Sequence, residues 1–430
     1  MKTSMIIIHN MNDNHTNNEF LYRPRWLGPL VRSAVQDHPV VILTGARQTG
    51  KSTFLRNEKP FSSWRYISLD DFDVFEQAER DPQSLWAGTD LVVIDEVQKS
   101  PKLLSAIKLI VDKQRSKIHF VLSGSANLLL LKQVSESLAG RAVYFNLLPM
   151  SLGEMLGLPA PDLLTRLMEG NFSEERIIGQ VGYDTLSLML KGFMPPLLTL
   201  QDEKNAIGWW EGYTTTYLER DLRQISQVSS LVDFRRVMVA LALRSGQLLN
   251  QTEVSRDTGV PQPTISRYLN LLETTCIFER VPAFTINRTK RLIKTSKPYW
   301  IDPALAVYLA GYHDNKSLET AREVGCFFET LVFLHLKAVI QVITPRPRLY
   351  YWRTTTGKEV DFIIEWGRKL LAAEAKFTAI PQYGDIRNLR LFLDEYPEAV
   401  AGMLIYSGQE IKRLDDKIVA VPWHLIAGIK

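Results

Sequence analysis

The sequence predicts an α/β fold, with a parallel sheet at the front of the chain, a helical middle, and a second α/β unit at the back. Three observations predict it. Between Arg25 and about Asn146, short apolar strands alternate with helical patterns, as expected for a parallel sheet covered by helices. The apolar run Val40-Val41-Ile42-Leu43 leads directly into Gly45-Ala46-Arg47-Gln48-Thr49-Gly50-Lys51-Ser52, a glycine-rich turn that opens a helix. Near the other end, two short strand patterns meet at Trp366-Gly367 and are followed by a helix and a further strand.

The strands of the first sheet are expected at Val40–Leu43, Tyr66–Leu69, Leu91–Ile94, Ile118–Leu122 and Ala142–Asn146. From Pro101 to Gln114, Leu103, Leu104, Ile107, Ile110 and Val111 fall on one face of a helix, and Pro101 sits where the first turn tolerates proline. In the glycine-rich turn, Gly45 and Gly50 let the backbone fold so that successive N–H groups face phosphate oxygens. The turn and the residue behind it, Thr53, are the candidate ATP-binding residues. Lys51 would reach the β- and γ-phosphates as a point charge, and the Ser52 hydroxyl would ligate Mg²⁺. The strand Leu91–Ile94 delivers Asp95 and Glu96 at its end. Asp95 is expected to hold Mg²⁺ through water and Glu96 to orient or deprotonate the attacking water; the alternative for Glu96 is a solvated carboxylate. Ser123 or Ser125, after the next strand, reads either as a phosphate sensor or as a turn hydroxyl. Arg141, in Leu138-Ala139-Gly140-Arg141, is the candidate arginine that completes a catalytic site, its own or a neighbour's, against the alternative of a surface cation.

Composition narrows the setting. A chain of 430 residues with 45% hydrophobic and 23% charged residues predicts two to four domains of a soluble protein. No apolar stretch approaches the roughly 18 to 20 residues that span a bilayer, so no membrane partner is expected. Residues 1–22, Asn-rich after Met5-Ile-Ile-Ile8, read as a tail rather than a signal peptide. The two cysteines, Cys276 and Cys326, fit a reducing cytoplasm, and the seven scattered histidines argue against a Cys/His metal site.

With these residues in hand, the chain resembles the AAA-type (AAA+) prokaryotic P-loop ATPases. The resemblance rests on the glycine-rich turn, Tyr66-Ile-Ser-Leu-Asp-Asp71, Val93-Ile-Asp-Glu-Val-Gln98, Leu122-Ser-Gly-Ser-Ala126 and Ala139-Gly-Arg141. More narrowly, Gly192-Phe-Met-Pro195 and Tyr217-Leu-Glu-Arg-Asp221 are similar to the middle segment of a bacterial and archaeal group whose C-terminal half is a domain of unknown function. The resemblance implies an AAA+ core over 23–150 followed by a helical lid over 151–232. Arg220 and Arg223 would reach the phosphates from that lid, or else belong to an exposed charged face.

A winged helix is expected over 233–302. Asn250-Gln-Thr-Glu253 is a capping-box arrangement, Gly259 makes a turn, and Pro263 sits where a second helix begins. On that helix Ile265, Leu269 and Leu272 face inward, while Gln262, Thr264, Ser266, Arg267 and Asn270 face outward to meet a major groove. Phe278 to Trp300 alternates like a β-hairpin wing. From Arg280 to Ile301 there are six Lys or Arg and no Asp or Glu, so Arg288, Lys290, Arg291, Lys294 and Lys297 are the expected phosphate contacts to DNA. A wing that contacts protein is the alternative.

In 303–430, Asp361 on one strand and Glu374 and Lys376 on the next follow the D…ExK spacing of the PD-(D/E)xK nuclease-like fold, which this segment resembles. The resemblance implies that Asp361 and Glu374 hold a divalent metal with the Ala375 carbonyl, that Lys376 positions a hydroxide, and that Glu329 is a fourth, helix-borne member. The combined expectation is an ATP-hydrolysing protein acting on DNA, most concretely a branched-DNA or Holliday-junction-type motor that self-associates into a ring. The rivals are an ATP-regulated nuclease of a defence or mobile-element system, and a nucleotide-dependent switch that binds proteins.

Overall fold

The computed structural model describes residues 22–113, 117–124, 138–171, 183–200, 202–216, 230–287, 291 and 295–429. The first sheet contains β1 (Val40–Thr44), β2 (Arg65–Ser68), β3 (Leu91–Asp95), β4 (His119–Ser123) and β5 (Ala142–Asn146) in the order β2-β3-β4-β1-β5, all parallel. Each strand lies within about two residues of where the apolar runs place it. β4 lies between β1 and β3, with Val121 level with both Val41 and Val93. That insertion brings the end of β4 between the glycine-rich turn and Asp95. Both faces are covered by apolar side chains, one by Leu103, Leu104, Ile107 and Val111 of the helix Pro101–Lys113, the other by Val31, Val35, Phe54 and Leu55.

The middle of the chain is helical. The helix Thr185–Lys191 ends at Gly192 (φ +92), where a Cβ would lie 2.8 Å from Ala304 Cβ and 2.9 Å from Asp302 Oδ1. Only glycine fits there. The helices Gln251–Thr258 and Gln262–Thr274 form a helix-turn-helix: Asn250 caps the first through the N–H groups of Thr252 and Glu253, and Gly259 (φ +74) closes it. β6 (Phe278–Val281) and β7 (Lys297–Trp300) then pair antiparallel.

The last sheet has the order β12-β13-β11-β10-β9-β8, from β8 (Arg348–Arg353), β9 (Glu359–Trp366), β10 (Lys369–Lys376), β11 (Ala399–Tyr406), β12 (Lys412–Asp415) and β13 (Ile418–Pro422). β9 and β10 are antiparallel, β10 and β11 parallel. The long helix Val324–Ile340 precedes β8, and Arg387–Glu395 lies between β10 and β11. Thirteen of its seventeen residues are buried, so the long helix is enclosed on nearly every side rather than amphipathic.

One apolar core runs from the lid through the helix-turn-helix into this sheet, joining Met189, Phe193, Trp210, Leu241, Leu269, Trp300, Phe328, Phe362 and Met403. It crosses the boundaries expected at 232 and 302. Nor is the wing free. Beyond β6, Phe284 N–H donates to Tyr351 O and Tyr351 N–H donates to Pro282 O, so the hairpin is stitched to β8. No helix of the described residues is long and apolar enough to cross a membrane.

Candidate nucleotide site and C-terminal carboxylate cluster

The glycine-rich turn folds through three positive φ angles, at Gly45 (+146), Gln48 (+69) and Gly50 (+89). A Cβ on Gly45 would lie 2.4 Å from Leu147 O, so the turn is pressed against the segment following β5. Thr49 Oγ donates to Ala46 O at 2.9 Å and ties the loop across itself. From below, Arg25 donates to Thr49 O at 2.9 Å and Leu148 O at 2.6 Å, and its Nε lies 3.2 Å from Glu154. Glu154 also accepts from Trp26 N–H at 2.7 Å. This buried pair, which the motif does not reveal, fixes the turn to the start of the lid.

Lys51 is buried, and its ammonium rests 3.1 Å from Gly45 O and 2.9 Å from Ala46 O. Burial pulls its pKa below the ordinary lysine value, opposed by the charges of Glu96 and Asp95. Ser52 and Thr53 are half-buried in the first turn of the helix Lys51–Asn57. Asp95 is buried and accepts from neutral donors: the Tyr66 hydroxyl, the Ser123 hydroxyl and Glu96 N–H at 3.1 Å. Its Ser123 partner comes from the inserted β4, so Ser123 is bound to Asp95 rather than idle in a turn. Tyr66, raised to about 12 by burial and its bond to Asp95, stacks beneath Arg56, whose guanidinium carbon is 4.3 Å from the ring centre. Glu96 adopts φ +56 and accepts from the Gln98 amide. Burial lifts its carboxyl above the glutamate range; the Gln98 bond counteracts this and the Asp95 charge reinforces it. A carboxylate with a raised pKa beside a phosphate-binding loop suits proton handling.

Beside the turn lies a cavity of about 290 Å³ lined by Tyr22, Arg23, Gln48, Gly50, Met150, Pro195 and Leu198. It has the apolar walls and few polar groups of a small-molecule site. Pro195, from Gly192-Phe-Met-Pro195, closes it against Gly50. The same segment is held from behind: Phe193 N–H donates to Asp302 at 2.8 Å, and Met150 N–H donates to Phe193 O. Burial raises Asp302 to about 7. The Tyr213 hydroxyl donates to Arg47 O at 3.4 Å. The thiol of Cys276, just past the helix-turn-helix, is pushed up to about 11 by burial and feels the Lys51 charge.

Arg141 lies elsewhere. β5 runs parallel to β1, Ala142 level with Val40 and Asn146 with Thr44. Arg141 therefore sits at the end of the sheet opposite the glycine-rich turn, on the order of 15 Å away, and pairs with Asp112. Completion of its own site is corrected by this placement. Arg220, Arg223, Ser125, Arg288, Lys290 and Lys294 lie outside the described residues.

Two expected DNA contacts are also corrected. Arg291 is buried, lies 4.5 Å above the Phe284 ring and 4.6 Å above Tyr350, and forms a forked pair with Glu365 at 3.0 to 3.2 Å. Lys297 is 1% exposed. Both charges are spent inside the protein, because the wing docks on the last sheet. On the helix Gln262–Thr274, Gln262, Arg267 and Asn270 are exposed, and Thr264 and Ser266 half-exposed. Gln262 donates to Thr252 and Ser266 to Gln251, which brace this helix on its predecessor.

The C-terminal residues do converge. With Ala373 opposite Phe362, the β9–β10 pairing brings Asp361 and Glu374 side by side, and Ala375 N–H donates to Asp361 at 3.0 Å. Lys376 pairs with Glu374 at 3.2 Å. Glu329 reaches in from the long helix beneath Gly246, where a Cβ would lie 2.9 Å from its carboxylate. At the centre stands Lys297, 2.9 Å from Glu329, 2.7 Å from Glu359 and 3.1 Å from Asp361. Tyr299 donates to Glu329 as well. Burial opposes the Lys297 charge, but Glu329, Tyr299, Asp361 and Glu359 together hold its pKa well above the ordinary value. Burial, then the Asp361 charge, raises Glu329 to about 7. Among the described residues no three His, Cys, Asp or Glu side chains are placed to hold a metal ion. Beside Asp361 and Glu329, where the resemblance implied a divalent metal, the structure places the Lys297 ammonium.

The first sheet and its glycine-rich turn define a P-loop ATPase of AAA type. Residues 37–156 match the AAA domain model, and residues 183–316 and 324–426 match two domains of unknown function, DUF8612 and DUF4143. The chain belongs to the family of two uncharacterized proteins, from Mycobacterium tuberculosis and Mycobacterium bovis. Each is 32% identical over 394 residues, covering 91% of this chain and 82% of the relative. An uncharacterized Haemophilus influenzae protein is 24% identical over 428 residues, covering 94% and 98%. Among solved structures, a Walker-type ATPase of Pyrococcus abyssi matches with TM-score 0.42 at 17% identity, covering 67% of this chain and 99% of that one.

Proposed function

We propose that the protein binds and hydrolyses ATP with Mg²⁺ and uses turnover to act on DNA. The observation that carries the ATPase part is the meeting of Lys51, Asp95 and Glu96 at one end of a single sheet, with Ser123 fixing Asp95. Asp95, buried and held by neutral donors among the described residues, suits a hydrated Mg²⁺, which Ser52 would also ligate; the cation would neutralise phosphate charge. The carbonyls now holding Lys51 are weak partners for an ammonium, so phosphate oxygens would take it over. Glu96 is the base or water-orienting group. The cavity beside Gly50 suits the nucleoside end of ATP.

DNA would be met by the exposed face of the helix Gln262–Thr274, with Arg267 and the neighbouring exposed Arg256 supplying phosphate contacts. Arg141, at the wrong end of its own sheet, would serve the nucleotide of an adjacent copy, which supports a ring and, most concretely, a branched-DNA motor. The helix, three strands, helix and strand around Asp361 support a nuclease-like relationship for the last domain. Cleavage is not part of the proposal, since Lys297 neutralises those acids.

The test is steady-state ATP hydrolysis with Mg²⁺, alone and with single-stranded, duplex and four-way-junction DNA, with Lys51→Ala as blank. Stimulation by one DNA form, lost in Arg267→Glu, is the expected result. Hydrolysis indifferent to every DNA would overturn the DNA part. It would favour the second reading, a nucleotide-dependent switch that binds proteins, which the burial of Arg291 and Lys297 in the docked wing supports.

A further inference from the structure

The protein's own donors nearly fill the carboxylate of Asp95. An ionised carboxylate offers about four acceptor sites, two on each oxygen. Among the described residues, Oδ1 takes the Ser123 hydroxyl and Glu96 N–H, and Oδ2 takes the Tyr66 hydroxyl. The fourth site lies on Oδ2, beside the phenol. Tyr66 has to reach for this contact. β2 and β3 run parallel, with Tyr66 level with Val93 and Ser68 level with Asp95. The side chain therefore leans forward by two residues, about 6.6 Å of strand, to meet the carboxylate. Packing does not ask for the hydroxyl. The half-buried ring lies against the core face of Phe54, Leu55 and Val93, a place that phenylalanine would fill equally well.

The ring is also pinned. Arg56, in the last turn of the helix Lys51–Asn57, sets its guanidinium carbon 4.3 Å from the ring centre, a cation–π contact. Arg56 is exposed, and beside the pair opens a cavity of about 370 Å³ lined by Arg65, Ser68, Gln77 and Leu85. The ring borders open space on that flank, and the guanidinium restrains it. The same helix carries Lys51 and Ser52 in its first turn. One end of it thus serves the phosphates, while the other holds Asp95 through Arg56 and Tyr66.

We propose that Tyr66 is a positioning residue of the ATPase site: its hydroxyl turns Asp95 so that a single acceptor site, on Oδ2, is kept for a water carried by Mg²⁺, and Arg56 keys that orientation to the helix bearing Lys51 and Ser52. Without the hydroxyl the carboxylate is held at Oδ1 alone and turns about its Cβ–Cγ bond. Loss of an outer partner of this kind typically costs roughly 10- to 100-fold in metal affinity or activity. The proposal rests on the reading of Lys51, Ser52 and Asp95 as an Mg²⁺–ATP site, and the experiment separates the two.

The probe is a ribose-labelled, non-hydrolysable ATP analogue, bound to the full chain and followed by fluorescence anisotropy while Mg²⁺ is added from an EDTA-buffered start. In wild type, Mg²⁺ should tighten binding. Tyr66→Phe is expected to raise the Mg²⁺ concentration for half-maximal tightening at least about tenfold, with the Mg²⁺-free affinity unchanged. Arg56→Ala should shift it the same way by less, and Arg56→Lys, which keeps a cation over the ring, should recover part of the loss. A folded Tyr66→Phe with the wild-type Mg²⁺ dependence overturns the proposal whatever its melting temperature, because the hydroxyl would then only satisfy a buried acid. So does equal weakening with and without Mg²⁺, the mark of a damaged turn. If Tyr66→Phe does not fold, Arg56→Ala decides, and the wild-type Mg²⁺ dependence there overturns the proposal. Mg²⁺ that leaves wild type unmoved overturns the Mg²⁺–ATP reading itself, and the proposal with it.

Discussion

Lys51 and Lys297 are both buried lysines, and their surroundings push them in opposite directions. Lys51 faces two backbone carbonyls, with the carboxylates of Asp95 and Glu96 nearby, and its charge is held below its ordinary strength. Lys297 is gripped by three carboxylates, and its charge is held far above. Lysine in the first setting is poised to receive an anion, because any phosphate oxygen improves on a carbonyl. In the second it is already satisfied and has nothing to offer a ligand. Burial alone therefore says little about a lysine's task; the partners decide.

The largest expected effect tests that contrast by stability. Lys297→Met leaves the buried Glu329 and Asp361 and the half-buried Glu359 without their cation and should cost about 3–5 kcal/mol in urea unfolding. Lys51→Met, which strands only two carbonyls, should stay within about 1 kcal/mol. Equal losses would erase the distinction.

A pH series sharpens it. Glu329 has a folded pKa of about 7 against 4.5 in the unfolded chain, so the folded state binds the extra proton. Its contribution is fully present below pH 4.5 and is lost as pH rises through 7, roughly 3 kcal/mol in all. The difference between wild type and Glu329→Gln isolates it from His335 and His424. These two are driven down to about 4 by burial and act in the opposite sense, losing stability as pH falls. A wild-type minus variant difference that is flat from pH 5 to 8 would show that the cluster is not over-supplied with negative charge.

The smallest effect concerns chemistry rather than folding. Glu96→Gln should lower kcat for ATP at least about a hundredfold while ATP still binds. Glu374→Gln should leave kcat unchanged. A fall in both would mean that the two acid groups act together.

The two regions also differ in how far the sequence discloses them. The P-loop is a contiguous word: Gly45, Gly50, Lys51 and Ser52 are fixed by local backbone geometry, and Asp95 by the end of one apolar strand. All five strands of the first sheet were visible for the same reason. The order of the strands was not, so the Ser123–Asp95 bond could not be anticipated. At the back, Asp361, Glu374 and Lys376 were legible from the alternation of two adjacent strands, and Glu329 from its helix. Lys297 was misread because a run of cations without acids looks like a solvated face. Its neutralising partners, Glu329, Glu359 and Asp361, lie 32 to 64 residues further along the chain. Arg291 was misread for the same reason, its Glu365 being 74 residues away. The Arg25–Glu154 pair, which spans the whole first domain, left no local trace at all.

The apolar core shared by the last two family segments bears on how such a chain can be inherited and handled. Its three family segments are separated by residues 157–182 and 317–323, which look like convenient seams for recombination. Yet Phe193, Trp210, Leu269, Trp300 and Phe328 belong to one packed interior. A cut between the last two segments would lay a wide greasy surface open to water, and a graft of either onto a foreign partner would have to match that surface side chain by side chain. Those two segments are written apart and packed as one.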